Sequence, residues 1–242
     1  MYRTVPLHGP GANPLKQSEK DSGIKSRSKL PSGRHGLPRD VVISSQRERM
    51  VEAMIQVVAD QGFAETTVAY IISAAGVSRA TFYEQFADKE DCFVAAYATV
   101  MDRMLAFVSE GFAADDGGDW IERLRGGIRS LLRYLAQNPV AVRVGIVEGF
   151  GAGARARDRY QQAVSAFFPF IDAGRDLVDD SARIPGETSR VVVGGISALI
   201  FNEASEGNPR NLPQLLPEMI YLAVVPYMGH DAALEAMNET EV

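Results

Sequence analysis

The run from Thr66 to Phe86, TTVAYIISAAGVSRATFYEQF, limits what this chain can be more than any other stretch. Val68, Ile71, Ile72 and Ala75 recur at the spacing of one helical face. The threonines ahead of them are N-cap types. Gly76 can take the left-handed conformation that stops a helix at low steric cost. Ser78 is placed to cap a second helix, in which Phe82 and Phe86 stand four apart and turn inward together. Arg79, Ala80, Thr81, Tyr83 and Glu84 are left on the outward arc. Two short helices meeting at a glycine turn make a helix-turn-helix, whose second helix can enter a DNA major groove. An ordinary helical hairpin would give no reason for a polar Arg-Thr-Tyr arc opposite two phenylalanines.

Flanking patterns extend this to an all-α chain. A first helix is expected from Ser44-Ser45 to Gln61, with Val51, Met54, Ile55, Val58 and Ala59 on one face and Gly62 ending it. A long helix capped by Asp88 should run to about Phe112, followed by a loop over residues 113–119. A second block of helical patterns then covers Trp120–Gln137, Pro139–Gly149, Ala154–Asp172 or beyond, Glu187–Asn202 and Leu212–Tyr227. Val191–Phe201 and Leu215–Tyr227 are apolar nearly all round, the pattern of a helix buried in a core or against a partner. The expected organisation is a basic arm over 1–40, a three-helix DNA-binding head over 41–90, and a larger helical body over 91–242.

The run from Gly62-Phe63 through Thr67, Ala75-Gly76-Val77-Ser78, Thr81-Phe82-Tyr83 and Phe86 to Lys89 resembles the DNA-binding domain of the tetracycline-repressor (TetR) family of bacterial transcription regulators. The resemblance implies that Thr67 bonds a phosphate at the start of the second helix. It further implies that Ser78, Arg79, Ala80, Thr81 and Tyr83 lie at the groove, with Lys89 on a flanking phosphate. The residue types suit those tasks: arginine can bond guanine O6 and N7 together, and threonine or alanine can meet a thymine methyl. Gln85 stands where many members carry histidine. The resemblance also implies a homodimer on a palindromic operator, repression as the expected sense, and a small effector held among the middle helices of the body. The last two helices would form the dimer interface. Met104, Phe107, Trp120 and Tyr134, together with Arg143, Phe150, Phe168 and Phe201, are the expected lining of that effector pocket. Aromatic and methionine stripes of this kind also serve simply as core.

The overall charge of −6 conceals an asymmetry. Residues 1–40 hold eight Lys/Arg against three acids, a net of +5, so the rest carries −11. That suits a protein that meets phosphate at one end. The arm is read either as a solubilising tail or as basic residues reaching phosphates or a minor groove. A single cysteine, Cys92, excludes an internal disulfide and fits a reducing compartment, so the protein is read as cytoplasmic.

One segment argues for something else. Gly151, Gly153 and Ala156 match a dinucleotide-binding fingerprint after an apolar run, with Asp172 downstream. This alternative, an enzyme using a nicotinamide cofactor, needs a parallel sheet. Yet Pro139 fits a helix start and Pro169 would interrupt a central strand. His8, His35 and His230 offer no metal spacing and no triad. The expectation is therefore no enzyme, no cofactor and no metal.

Overall fold

A computed structural model describes residues 39–114, 117–149, 151–179, 183–206 and 208–239. Among them the regular elements are all helical, as expected. The basic arm falls outside the described residues, apart from its last two positions.

Helix α1 spans Arg39–Glu65 and is broken at Gly62, whose φ of 83° lies in the region glycine favours. It starts five residues before Ser44, because nothing between Arg39 and Gln61 breaks a helix and Asp40 lies in its first turn. Only the later turns are held by packing: Met50, Met54, Ile55 and Val58 are buried, while Val41 and Ile43 are exposed. Helix α2 (Val68–Ala75) starts at Thr67, whose hydroxyl accepts from the Tyr70 amide at 3.3 Å. It stops at Gly76, which has φ 63° and whose N–H reaches the Ile72 and Ser73 carbonyls. Helix α3 (Arg79–Gln85) is capped by Ser78, which accepts from the Thr81 amide at 3.0 Å.

Helix α4 (Lys89–Ala113) crosses residue 90 without interruption and belongs to head and body alike. Its N-cap is Asp88, whose carboxylate takes the Asp91 amide at 2.8 Å and the Arg155 guanidinium at 2.7 Å. These two contacts, the amide first, hold the Asp88 carboxyl below its ordinary pKa. The cap therefore supports the fold at neutral pH and loses that support as pH falls through the lowered value. Among the described helices α4 is the one long and apolar enough to cross a bilayer, but it is the core helix here. Cys92, Phe93, Ala96, Tyr97, Val100 and Met104 are buried among the helices around it.

Helix α5 (Trp120–Gln137) opens with a capping box between Asp119 and Glu122. It packs closely along α4. At their crossing a Cβ on Gly111 would fall on the Gly126 carbonyl oxygen, and one on Gly126 on that of Gly111, so the two backbones touch. Helix α6 starts at Pro139 as expected but makes only Pro139–Ala141 before widening into a π-helix over Val142–Val147. The expected single helix from Ala154 is two: α7 (Ala154–Ser165) and α8 (Phe168–Asp172), the latter tightening into a 3₁₀ turn over Ala173–Leu177. Pro169 explains the break, since it fits a first turn but not a helix interior.

Helix α9 covers Thr188–Glu206. Asp172 ties α8 to it, bonding Arg175 at 2.9 Å and accepting from the Ser189 hydroxyl at 3.1 Å. Helix α10 covers Leu216–Asn238, after a 3₁₀ turn at Pro209–Leu215. It continues past Tyr227 through a kink at Gly229, φ 82°. The Gly151–Ala156 segment joins α6 to α7, so the strand that a dinucleotide fingerprint needs before it is helical instead. The nicotinamide alternative loses its structural basis there.

Cys92 is fully buried, its thiol pointing to the Met50 carbonyl at 3.9 Å, and burial pushes its pKa up to about 12. A thiolate is therefore scarce at working pH. A thiol reagent at pH 8 is expected to leave native protein unmodified for hours and to label it at once in denaturant. Fast labelling of native protein would show that this part of the core opens readily.

Candidate nucleic-acid interface and effector cavity

The head has a simple logic. Phe82 and Phe86 are buried with rings 5.6 Å apart, and this anchors α3 by one face. The opposite face is left in solvent: Ser78, Arg79, Ala80, Tyr83 and Glu84 are exposed and Thr81 is half-buried. The Ser78 and Thr81 hydroxyls lie 2.8 Å apart and order each other. Arg79 and Glu84 have no ion-pair partner among the described residues, so Arg79 keeps all its donors and Glu84 turns to solvent. Thr67 is exposed at the start of α2, and its hydroxyl retains a proton to donate after capping. Exposed Tyr70, one turn further on, was not singled out by sequence. Its exposure beside a helix start is a tertiary fact, for a tyrosine next to Ile71 and Ile72 reads as core.

Lys89 has a different task from the one expected. Its ammonium donates to the carbonyls of Phe63 (3.0 Å), Ala64 (3.2 Å) and Thr66 (2.9 Å), and sits 4.5 Å from the centre of the Phe63 ring. An ammonium has three protons, and all three are used. In the same way Arg49 bonds the Ala75 carbonyl at 3.0 Å, and Arg47 bonds that of Gln85 at 3.0 Å while lying over Phe86. Each short head segment thus ends on a cation from another helix, which offsets the unpaired C-terminal carbonyls. Lys89→Met should lower the unfolding free energy by roughly 2 kcal/mol. It should leave the slope of log affinity against log salt unchanged. A loss of about one unit in that slope would restore Lys89 to a phosphate.

In the body, helices α4 to α9 line a cavity of about 350 Å³ that opens along α9, where Gly194, Ala198 and Phe201 are exposed. Met104 and Phe201 of the expected lining are on its wall. Phe107 and Tyr134 are not: their rings stack 4.3 Å apart beside a separate shallow hollow. Trp120 is a structural tack, donating from its indole to the Phe170 carbonyl at 2.9 Å and meeting the Tyr227 ring edge-on. Phe168 lies off the wall, which takes Phe167 and Phe170 instead, since the turn that Pro169 forces sets which faces point inward. Phe150 lies outside the described residues.

Arg143 belongs to the joint between body and head. It pairs with Glu148 at 2.7 Å, and Glu148 accepts the Phe63 amide at 3.1 Å. The end of the π-helix is thereby latched to the break in α1. Sequence spacing could not reveal this, because 85 residues separate the partners. Among the described residues no group of three His, Cys, Asp or Glu is placed to hold a metal ion.

An anchored helix presenting Arg, Thr and Tyr to solvent, on a helix-turn-helix, defines a DNA-binding regulator. Residues 51–96 match the model of the bacterial regulatory proteins of the tetR family. That match covers the head alone. Solved structures share the fold over three quarters of the chain or more. The fatty acid degradation regulator FadR from Bacillus halodurans is 17% identical, with a TM-score of 0.60 over 75% of this chain and 94% of that one. The transcriptional regulator FadR from Bacillus subtilis, solved in complex with stearoyl-CoA, is 18% identical, with a TM-score of 0.59 over 75% and 98%. A TetR family transcription regulator from Marinobacter aquaeolei VT8 is 23% identical, with a TM-score of 0.53 over 83% and 96%. At these identities the likeness is one of fold.

Proposed function

We propose that this regulator is a homodimeric, effector-released repressor of a palindromic operator, working in the cytoplasm without catalysis. The observation that carries the reading is α4, which is at once the spine of the head and a wall of the body cavity. In the head, Arg79, Ala80, Thr81 and Tyr83 take the groove edge, Thr67 and Ser78 take phosphates, and the exposed Tyr70 joins them. In the body, a molecule in the cavity touches the same helix that carries the head.

The dimer is supported by the exposed face of α9, which also borders the cavity mouth. Val191 is 70% exposed and Phe201 is 42% exposed, and between them Gly194 and Ala198 lie open on the same side. Spacing of three and four residues makes this an apolar stripe with small residues at its centre, where a second helix can approach closely. A two-fold pairing through that stripe sets two α3 helices at a fixed spacing, and a palindrome mirrors it.

The effector is read as apolar and elongated. Its class is supported by the cavity wall, and stearoyl-CoA in the Bacillus subtilis structure is a molecule with such a portion. An effector releases DNA only if it prefers the conformation that cannot bind, with a coupling of ~1–3 kcal/mol. The test combines two readouts on a duplex that the protein has selected. Sedimentation should give two protomers per duplex, or a multiple of two. A member of an apolar compound library should raise the melting temperature and release the duplex together. One protomer per duplex, or thermal stabilisers that never weaken the complex, would overturn the reading.

A further inference from the structure

We infer that the cavity binds its ligand through one uncharged oxygen function, such as a hydroxyl, ester or thioester oxygen, which meets the hydroxyl of Tyr97. Tyr97 is then the specificity-determining residue of the site. The inference rests on the reading of this cavity as the effector site.

The wall of the cavity carries no Asp, Glu, Lys, Arg or His side chain. Its polar groups are Tyr97 on α4, Tyr160 on α7, and Ser197 and Asn202 on α9. Ser197 is half-buried and Asn202 exposed, so both are served by water at the outer side. Tyr97 is fully buried behind the wall: its hydroxyl has no hydrogen-bond partner among the described residues and less than 1 Å² of accessible surface, so a ligand oxygen meets it by displacing a neighbouring side chain. Protein interiors rarely leave a phenol hydroxyl unpaired, because the desolvation is then uncompensated. Burial also raises the Tyr97 pKa far above its ordinary value, so the group is a proton donor at every physiological pH. An acceptor oxygen on the ligand recovers the hydrogen bond that folding gave up. A carboxylate does not fit as well, since its charge would enter an apolar wall with a single neutral donor to meet it.

The position of Tyr97 connects this bond to the head. A Cβ on Gly149 would fall on the Tyr97 ring, so the ring rests on the backbone next to Glu148, the acceptor of the Phe63 amide. On its other side the Tyr97 ring lies 6.2 Å from Phe93, whose ring lies 4.8 Å from Phe63. Both routes end at Phe63, where α1 breaks and Lys89 holds the carbonyls. A ligand that moves the Tyr97 ring disturbs both supports of that turn.

The test compares wild type with Tyr97→Phe, which keeps the ring and removes only the hydroxyl. Three ten-carbon probes are titrated calorimetrically at pH 8: 1-decanol, 1-chlorodecane as a shape control, and decanoate as the charged form. Wild type should bind decanol about tenfold or more tighter than chlorodecane, and decanoate most weakly. Tyr97→Phe should retain chlorodecane and bring decanol to within about threefold of it. A decanol preference unchanged in the variant overturns the inference, as does decanoate binding as tightly as decanol, or no probe binding at all. A readout that needs no variant is the tyrosine difference spectrum of wild type, which should respond to decanol and not to chlorodecane. Release of a selected duplex separates the two readings. Tyr97-dependent binding without release defeats the effector reading alone. Release by decanol that is equal in both proteins defeats the role of Tyr97 alone.

Discussion

Arg79→Ala is expected to weaken operator binding by about 2–6 kcal/mol, which is roughly thirtyfold at the least. Arg79 is the first residue of α3 and is exposed, with no ion pair among the described residues to compete for its donors. A bidentate contact to guanine is worth ~1–3 kcal/mol of discrimination, and a dimer makes it twice. Tyr83→Ala should act alongside it, removing a 51% exposed ring that the fold does not use as core, although its edge meets Phe82. Neither change should alter the melting temperature by more than a degree or two, because α3 is held by Phe82, Phe86 and the Ser78 cap. Fluorescence anisotropy on the selected duplex and a thermal melt decide it together. Loss of the fold in either variant would make the arc structural.

The double variant Val191→Arg/Ala198→Arg should give a folded monomer and reduce operator affinity by about 10²–10⁴-fold. Both positions are exposed on α9, and Ala198 also borders the cavity mouth, so this variant is read for dimerisation and DNA affinity and not for effector binding. In a two-fold pairing the added charges of one protomer face those of its copy across the same apolar stripe, and like charges in an interface cost several kcal/mol. Two linked heads gain from the second binding event being intramolecular, and a monomer loses that gain. Sedimentation gives the mass and anisotropy gives the affinity. A variant that stays dimeric would move the interface elsewhere, with α10 as the next surface to examine.

The contrast between head and body shows what a sequence makes legible. Thr67, Gly76, Ser78 and Asp88 all act as caps or stops where the sequence placed them, because capping is a local bargain between a side chain and its own next turn. Phe82 and Phe86 are buried for a similarly local reason. Lys89 shows the limit. It matches the family pattern, yet its three protons go to carbonyls 23 to 26 residues away. In the body the starts of α5 and α6 were legible, but the widening over Val142–Val147 was not, since nothing in VRVGIV favours five-residue spacing on its own. The same applies to the cavity. Which of Phe167, Phe168 and Phe170 faces inward depends on the break at Pro169. Nothing in the sequence marks the Tyr97 hydroxyl, because a missing hydrogen bond is a property of the surroundings and not of the residue.

These observations come together in one claim, that α3 reads a two-fold DNA site. The most direct measurement is selection of bound duplexes from a random pool by purified wild-type protein and by Tyr83→Ala, at low salt where phosphate contacts are strongest. The account predicts a near-palindrome, with half-sites one helical turn apart or a multiple of it, enriched by the wild type and lost with the variant. No enrichment by the wild type, or the same sequence recovered by Tyr83→Ala, would contradict it.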